Sequence, residues 1–248
     1  MGKEAIAPTG VSAVDTERLA QQSRRRALLA TVLVAVLVAA ATAIILAVFM
    51  GNGTSAAADS VTLDEYNEKP FGDILIMRHA LAPGSGDPQG FALENCSSQR
   101  NLGSDGIAQA TDIGEKLGKS SLRISETIYT SQWCRCRDTA RLIAAQLNRL
   151  RHNNSAAAGG YFSVEEEWGL NSFYQPERGG FTKAACIERL DGSILGRLKA
   201  IPIDDRDGSL ILMVTHKVTV TAVTGVDVDS GGIVAYDSKT GEAKLLKL

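Results

Sequence analysis

The sequence predicts an α/β fold: a three-layer sandwich with a largely parallel central sheet, preceded by one transmembrane helix. Three observations carry that expectation. A run of 24 uncharged residues lies near the N-terminus. Beyond it, short continuous apolar runs alternate with segments of helical periodicity, the pattern of strands buried between layers of helices. The composition suits a folded domain with extras: 248 residues, 44% apolar, 22% charged, formal net charge -2. That balance excludes a wholly disordered chain. It also argues against nucleic acid as a partner, since such binders carry a basic excess.

The apolar run covers residues 27–50 (ALLATVLVAVLVAAATAIILAVFM) and holds no charge, Pro or Gly. At about 1.5 Å per residue it reaches about 36 Å, enough for a hydrocarbon core of about 30 Å. A cleaved signal peptide has an apolar region of only about 7–15 residues, so an uncleaved signal-anchor is expected. Arg24, Arg25 and Arg26 abut the run, and no Lys or Arg follows until Lys69. This asymmetry keeps the N-terminus cytoplasmic and sends the remainder to a periplasm, a lumen or the extracellular space. The expected organisation is a cytoplasmic tail (1–26), an anchor (27–50), a Gly/Ala/Ser/Thr-rich linker (51–70) and an outer domain (71–248). The tail carries five Lys and Arg against three Asp and Glu, and the remainder 21 against 25. An anionic substrate must therefore be attracted by a local basic pocket, not by the whole surface.

The outer domain opens with an apolar strand at 73–77 (DILIM). A helix over 105–118 follows a Ser104-Asp105 cap, with Ile107, Ala110, Ile113, Gly114 and Leu117 at helical spacing and Gly118 as a stop. Residues 126–130 (ETIYT) read as a strand. A helix over 135–150 carries Ala140, Ile143, Ala144 and Leu147 on one face, and 151–163 reads as a loop. A helix over 181–197, a strand at 210–214 (LILMV) and a short helix over 217–224 come next. A hairpin, 233–236 with 243–246, closes the chain around Ser238-Lys239-Thr240-Gly241.

In sheets of this kind a site forms beyond the carboxyl ends of the strands. The first strand ends in Arg78-His79, the second in Thr130-Ser131 with Arg135 just after, and the third in Thr215-His216-Lys217. The chain has three His. A single His at a strand end is ordinarily a packing residue, and His152 lies in a polar loop. Two at strand ends, with Arg beside them, suit a phosphoryl group. Arg forks match phosphate oxygens, one imidazole can attack phosphorus, and the other can donate to the transferring oxygens.

The order of these motifs is Arg78-His79, then Ser131-Gln-Trp-Cys-Arg135-Cys-Arg-Asp-Thr139-Ala140, then Thr215-His216. With them the chain resembles the histidine phosphatase superfamily, the phosphoglycerate-mutase-like proteins, over roughly 72–240. Gln99-Arg100-Asn101-Leu102, Gly106 and Gln109-Ala110 resemble the segment that opens the superfamily's first helix. Val214-Thr215-His216-Lys217-Val218, Ala222-Val223-Thr224-Gly225 and Ser230-Gly231-Gly232 resemble the C-terminal part of its small exported members. The resemblance implies the phosphoglycerate-mutase-like fold and a phosphatase that needs no cofactor, and the Cys spacing, unlike that of a paired Cys-x-x-Cys zinc site, gives no expectation of a metal. It implies His79 as nucleophile, with Arg78, Arg135 and His216 completing a phosphate pocket and Arg100 a further substrate contact. Arg137 and Arg141, further along the helix, are expected to face solvent.

Two positions depart from the family. Ala80 stands where Gly is common, which requires only that φ stay negative there. Ser172 follows Leu170-Asn171 where many members carry the Glu that acts as general acid. Among Glu165, Glu166, Glu167, Asp87 and Glu94, the choice for that acid falls on Glu167. Cys96, Cys134, Cys136 and Cys186 form an even set suited to an oxidising compartment, and a bridge from Cys96 to Cys134 or to Cys136 would tie the loop after His79 to the pocket. The expected activity is hydrolysis of a phosphorylated small molecule, glycolipid or phosphoprotein outside the cytoplasm through a phosphohistidine intermediate. The rival is a catalytically silent phosphate-binding or scaffold module of the same fold.

Overall fold

The computed structural model describes residues 59–153, 160–201 and 208–248, with Gln21. The chain divides into a unit Met1–Ala56 and a unit Ala57–Leu248. The expected cytoplasmic tail (apart from Gln21) and the expected membrane span, 27–50, lie outside the described residues. Among the described residues no helix is long and apolar enough to cross a membrane.

The second unit is built on a seven-stranded mixed sheet: β1 (Ser60–Thr62), β2 (Ile74–Arg78), β3 (Thr127–Thr130), β4 (Ser163–Glu166), β5 (Ile211–Thr215), β6 (Ile233–Tyr236) and β7 (Ala243–Lys247). Their order is β1-β7-β6-β2-β5-β3-β4. β6 runs antiparallel to both neighbours, and every other pairing is parallel. The helices are α1 (Leu63–Glu68), α2 (Ser104–Lys119), α3 (Cys134–Asn153), α4 (Pro176–Gly179), α5 (Lys183–Gly192), α6 (Ile194–Ala200) and α7 (Lys217–Thr224).

The apolar runs are continuous because both sheet faces are covered. Successive side chains of a strand point to opposite faces. Leu75 and Met77 of β2 join Leu212 and Val214 in one core with Ile113 and Leu117 of α2 and Ile143 and Leu147 of α3. Ile74 and Ile76 join Met213 in a second core with Leu190, Ile194, Leu195 and Leu198 of α5 and α6 and Val220 of α7. This is the three-layer arrangement. Gly114 lets α2 and α3 approach closely: a Cβ there would lie 2.9 Å from the Ile143 Cα.

Several elements differ from expectation. Residues 60–68, assigned to the linker, form β1 and α1 instead. Thr62 and Glu65 make a capping box, and Tyr66 is fully buried. β4 falls on the loop boundary and the acidic run; its SVEE sequence lacks an alternating apolar face, and pairing with β3 makes it a strand. Its Glu165 and Glu166 charge an outer strand of the sheet, a common guard against edge pairing. The expected helix 181–197 is two helices, broken at Ser193 (φ -121°, ψ -99°) after Gly192, where helix propensity is low. α7 spans the expected 217–224, and its C-cap Gly225 sits at φ 74°.

Candidate active site

Strand order builds the site. β2, β5 and β3 are adjacent and parallel, so Arg78-His79, Thr215-His216 and Thr130-Ser131 emerge side by side. α3 begins at Cys134 and brings in Arg135. Arg78, His79, Arg100, Arg135 and His216 line one cavity of about 800 Å³. Glu167 does not.

The backbone holds His79 firmly. Its N–H donates to the Thr215 carbonyl (2.8 Å), and its carbonyl accepts from Gly231 N (3.1 Å). Ala80 N donates to Thr139 Oγ1 at 3.1 Å. Among the described residues no residue other than glycine has positive φ, so Ala80 is accommodated without strain. His79 Nδ1 lies 2.8 Å from the Ala80 carbonyl, and Arg135 Nε lies 3.2 Å from His79 Nε2. A carbonyl only accepts and a guanidinium only donates, so the network assigns the proton to Nδ1 and the lone pair to Nε2.

His216 is held by a second network. Its Nε2 is 2.9 Å from Ser131 Oγ, and its Nδ1 is 3.5 Å from an Arg135 terminal nitrogen. Ser131 Oγ also lies 3.1 Å from Asn171 Oδ1. Arg135 only donates and an amide oxygen only accepts, so the network puts the His216 lone pair on Nδ1 and its proton on Nε2, which donates to Ser131 Oγ while that hydroxyl donates to Asn171. The two imidazoles stand edge to face with centroids 5.5 Å apart.

Both rings are held neutral. Burial, then the Arg135 charge, push His79 down to about 3, with Arg100 and Arg78 adding to the effect. The same causes, burial first, put His216 well below its ordinary value. A neutral imidazole is what a nucleophile requires. It also fixes a sign: the unfolded chain binds protons near pH 6.5 that the native state refuses, so this stability is present above pH 6.5 and is lost as pH falls toward the folded values. The Tm of the chain is therefore expected to drop between pH 7 and pH 5, above the range where carboxylates titrate. A Tm flat across that interval would contradict the two buried neutral rings.

Asp87 is the residue that sequence reasoning undervalued. Its carboxylate accepts from both terminal nitrogens of Arg135 (2.8 and 3.1 Å), from Arg100 N (3.1 Å) and from Trp133 Nε1 (3.0 Å). Burial works to raise this carboxyl, but the Arg135 hydrogen bonds and charge, with those of Arg100 and Trp133, hold it below the usual carboxylate range. Asp87 thus orients the Arg135 fork and leaves Nε aimed at His79. Arg100 lines the cavity but folds back on its own loop, donating from Nε to the Gly86 carbonyl (3.0 Å). Arg78 keeps donor capacity: its Nε is buried without a hydrogen-bond partner.

Glu167, the expected acid, is committed elsewhere. Its carboxylate accepts from Arg189 (2.8 and 3.0 Å) and from Gly169 N (3.0 Å), capping the short 3-10 helix Trp168–Leu170. The physical reason is position: Glu167 follows β4 at the sheet's edge, one strand beyond the β2-β5-β3 cluster. Glu167→Gln is expected to leave kcat/KM within about twofold and to cost on the order of 1 kcal/mol of stability. A hundredfold loss of turnover would reverse this placement. Ser172, where many members of the resembled family carry Glu, lines the cavity. Arg137 does not simply face solvent: it donates to both sulfurs of a disulfide and pairs with Glu166 at 3.1 Å, whereas Arg141 is exposed.

That disulfide joins Cys96 to Cys134, one of the two pairings left open by the sequence. It fixes the loop after His79 to the start of α3. Gln99 reinforces the join by accepting from Cys134 N at 3.0 Å. Cys136 and Cys186 are free and buried.

Residues 74–157 match the family model of the histidine phosphatase superfamily, branch 1. The matched segment contains His79, Arg78, Arg100 and Arg135, and it ends before His216. No curated protein matches the chain. Among solved structures, the chain is similar to the protein histidine phosphatase SixA complexed with tungstate, at 17% identity and TM-score 0.42, covering 69% of this chain and 92% of that one. It is similar to the mycobacterial glucosyl-3-phosphoglycerate phosphatase Rv2419c complexed with VO3, at 14% identity and TM-score 0.44, covering 69% and 96%. The open reading frame Rv3214 of Mycobacterium tuberculosis aligns at 19% identity and TM-score 0.43, over 70% and 95%.

Proposed function

We propose that the chain is a histidine-type phosphatase that hydrolyses phosphomonoesters through phospho-His79. The observation that carries this reading is the unprotonated Nε2 of His79, oriented by the Ala80 carbonyl and facing an arginine-lined cavity. Nε2 attacks phosphorus, the P–N bond forms, and the ester oxygen leaves with its electron pair. Water then attacks phosphorus and the pair returns to Nε2, releasing phosphate. Arg78 and Arg135 carry the charge that spreads over the transferring oxygens.

The reaction is assigned to the outside of the cytoplasm, with the chain held by one helix at 27–50 and its N-terminus inside. The positive flank at Arg24–Arg26 supports this orientation, and the Cys96–Cys134 bridge supports an oxidising compartment. The class of partner is a phosphorylated small molecule, glycolipid or phosphoprotein.

The test is turnover of p-nitrophenyl phosphate by the full chain with vanadate as inhibitor. Release of phosphate blocked by vanadate is expected. Tight vanadate binding with no turnover of any ester would instead make the chain a silent phosphate-binding module.

A further inference from the structure

We infer that the site takes the phosphate ester of a flat aromatic alcohol, a phenol such as the tyrosine side chain, in preference to a sugar or glycerol phosphate. The inference rests on the hydrolase reading and adds the class of substrate. Two independent observations point to it.

The first is the wall beside the phosphate end. Phe91, Phe173, Tyr174, Val218 and Ala222 line the same cavity as His79 and Arg135. Trp133 lines it too, 5.7 Å from Phe91 and 5.1 Å from His216 between ring centroids. Phe173 and Tyr174 follow Asn171, which is fully buried and anchored on both sides. Its Oδ1 accepts from Gln132 N (2.9 Å), and its carbonyl accepts from Thr219 Oγ1 (3.2 Å). The loop that carries the aromatic pair thus leaves from a fixed point, with Tyr174 65% exposed. Rings on a wall favour a flat apolar group over a hydroxylated one.

The second is the carboxyl inventory. Among the described residues, the carboxylates that line the cavity are Asp87 and Asp227. Asp87 is held by Arg135 at 2.8 Å and Asp227 by Lys217 at 2.9 Å, so each is already paired with a cation. Glu167 is turned away to Arg189. An alkoxide leaving group must be protonated as it departs, whereas a phenolate, the base of an acid of pKa about 10, departs without that help. In the resulting step the P–O(aryl) bond breaks, the phenolate takes the electron pair and then a proton from water, and His79 Nε2 keeps the phosphoryl group until a second water removes it.

The experiment compares benzylphosphonate with methylphosphonate on the full chain by competition against vanadate. Neither can be hydrolysed, so the result is independent of turnover. Benzylphosphonate is expected to bind about tenfold tighter or more, and Phe173→Ala with Tyr174→Ala to shrink the ratio to about threefold or less. Equal affinities in the wild type would overturn the inference. In parallel, kcat/KM for phosphotyrosine is expected to exceed that for glycerol phosphate by about a hundredfold. Comparable values would overturn the leaving-group argument. If neither ester turns over while benzylphosphonate keeps its advantage, the hydrolase reading fails and the aromatic preference stands.

Discussion

His79→Ala in the full chain is expected to lower kcat/KM for p-nitrophenyl phosphate by roughly four orders of magnitude or more, the scale of loss on removing a nucleophile. The geometry gives the reason. Nε2 of His79 is the pocket atom with a lone pair presented toward Arg135 Nε, at 3.2 Å, and its ring is fixed by the Ala80 carbonyl. The other imidazole is tied into the Ser131 and Asn171 network. The anion-binding arginines survive the substitution, so vanadate affinity is expected to fall far less than turnover. Wild-type protein quenched during turnover should carry phosphate on His79 that is released by acid and resists base. Turnover retained in a folded His79→Ala protein would move the nucleophile elsewhere.

Reducing the Cys96–Cys134 bridge should cost the domain about 4 kcal/mol by the loop-entropy relation, for two cysteines 38 residues apart. For a domain of this size that corresponds to a Tm lower by on the order of 10 °C. The bridge closes the segment that carries Gln99 and Arg100 and tethers, at Cys96, the end of the loop that carries Asp87, so its loss loosens groups that organise the pocket wall. Cys96→Ser with Cys134→Ser should match the reduced wild type. Thiol titration gives an independent check. Burial raises Cys136 to about 12 and Cys186 to about 11, so neither should react in the native state. Two thiols should appear on unfolding without reductant and four with it. Four thiols without reductant would eliminate the bridge.

The elements with strong local signals were legible in the sequence. β2 and β5 are apolar runs that need no partner to be recognised, and α2 and α3 carry helical spacing, though α2 runs one residue past the expected stop at Gly118 and α3 three past the expected end at 150. Arg78, His79, Arg135 and His216 were legible as a group because each sits at a strand end or the helix start that follows it. β1 and β4 were not, because SVT and SVEE become strands only through pairing with β7 and β3. The break at Ser193 was hidden because the apolar spacing of 181–197 runs through it.

The sequence by itself determined the alternation of strands and helices, the residues that strand ends would present, and the uncharged run before the domain. Those are properties of neighbours along the chain: periodicity, capping and length. The tertiary structure decided which acidic residue faces which cation. Asp87 and Glu167 are 80 positions apart, and nothing local distinguishes one carboxylate from the other. Strand order placed Glu167 at the sheet's edge beside Arg189, and the bridged loop carried Asp87 to Arg135. Charge pairing across the fold depends on distances that a one-dimensional pattern does not contain, and here it sets the orientation of the arginine fork, while burial first and the Arg135 charge second keep the two imidazoles neutral.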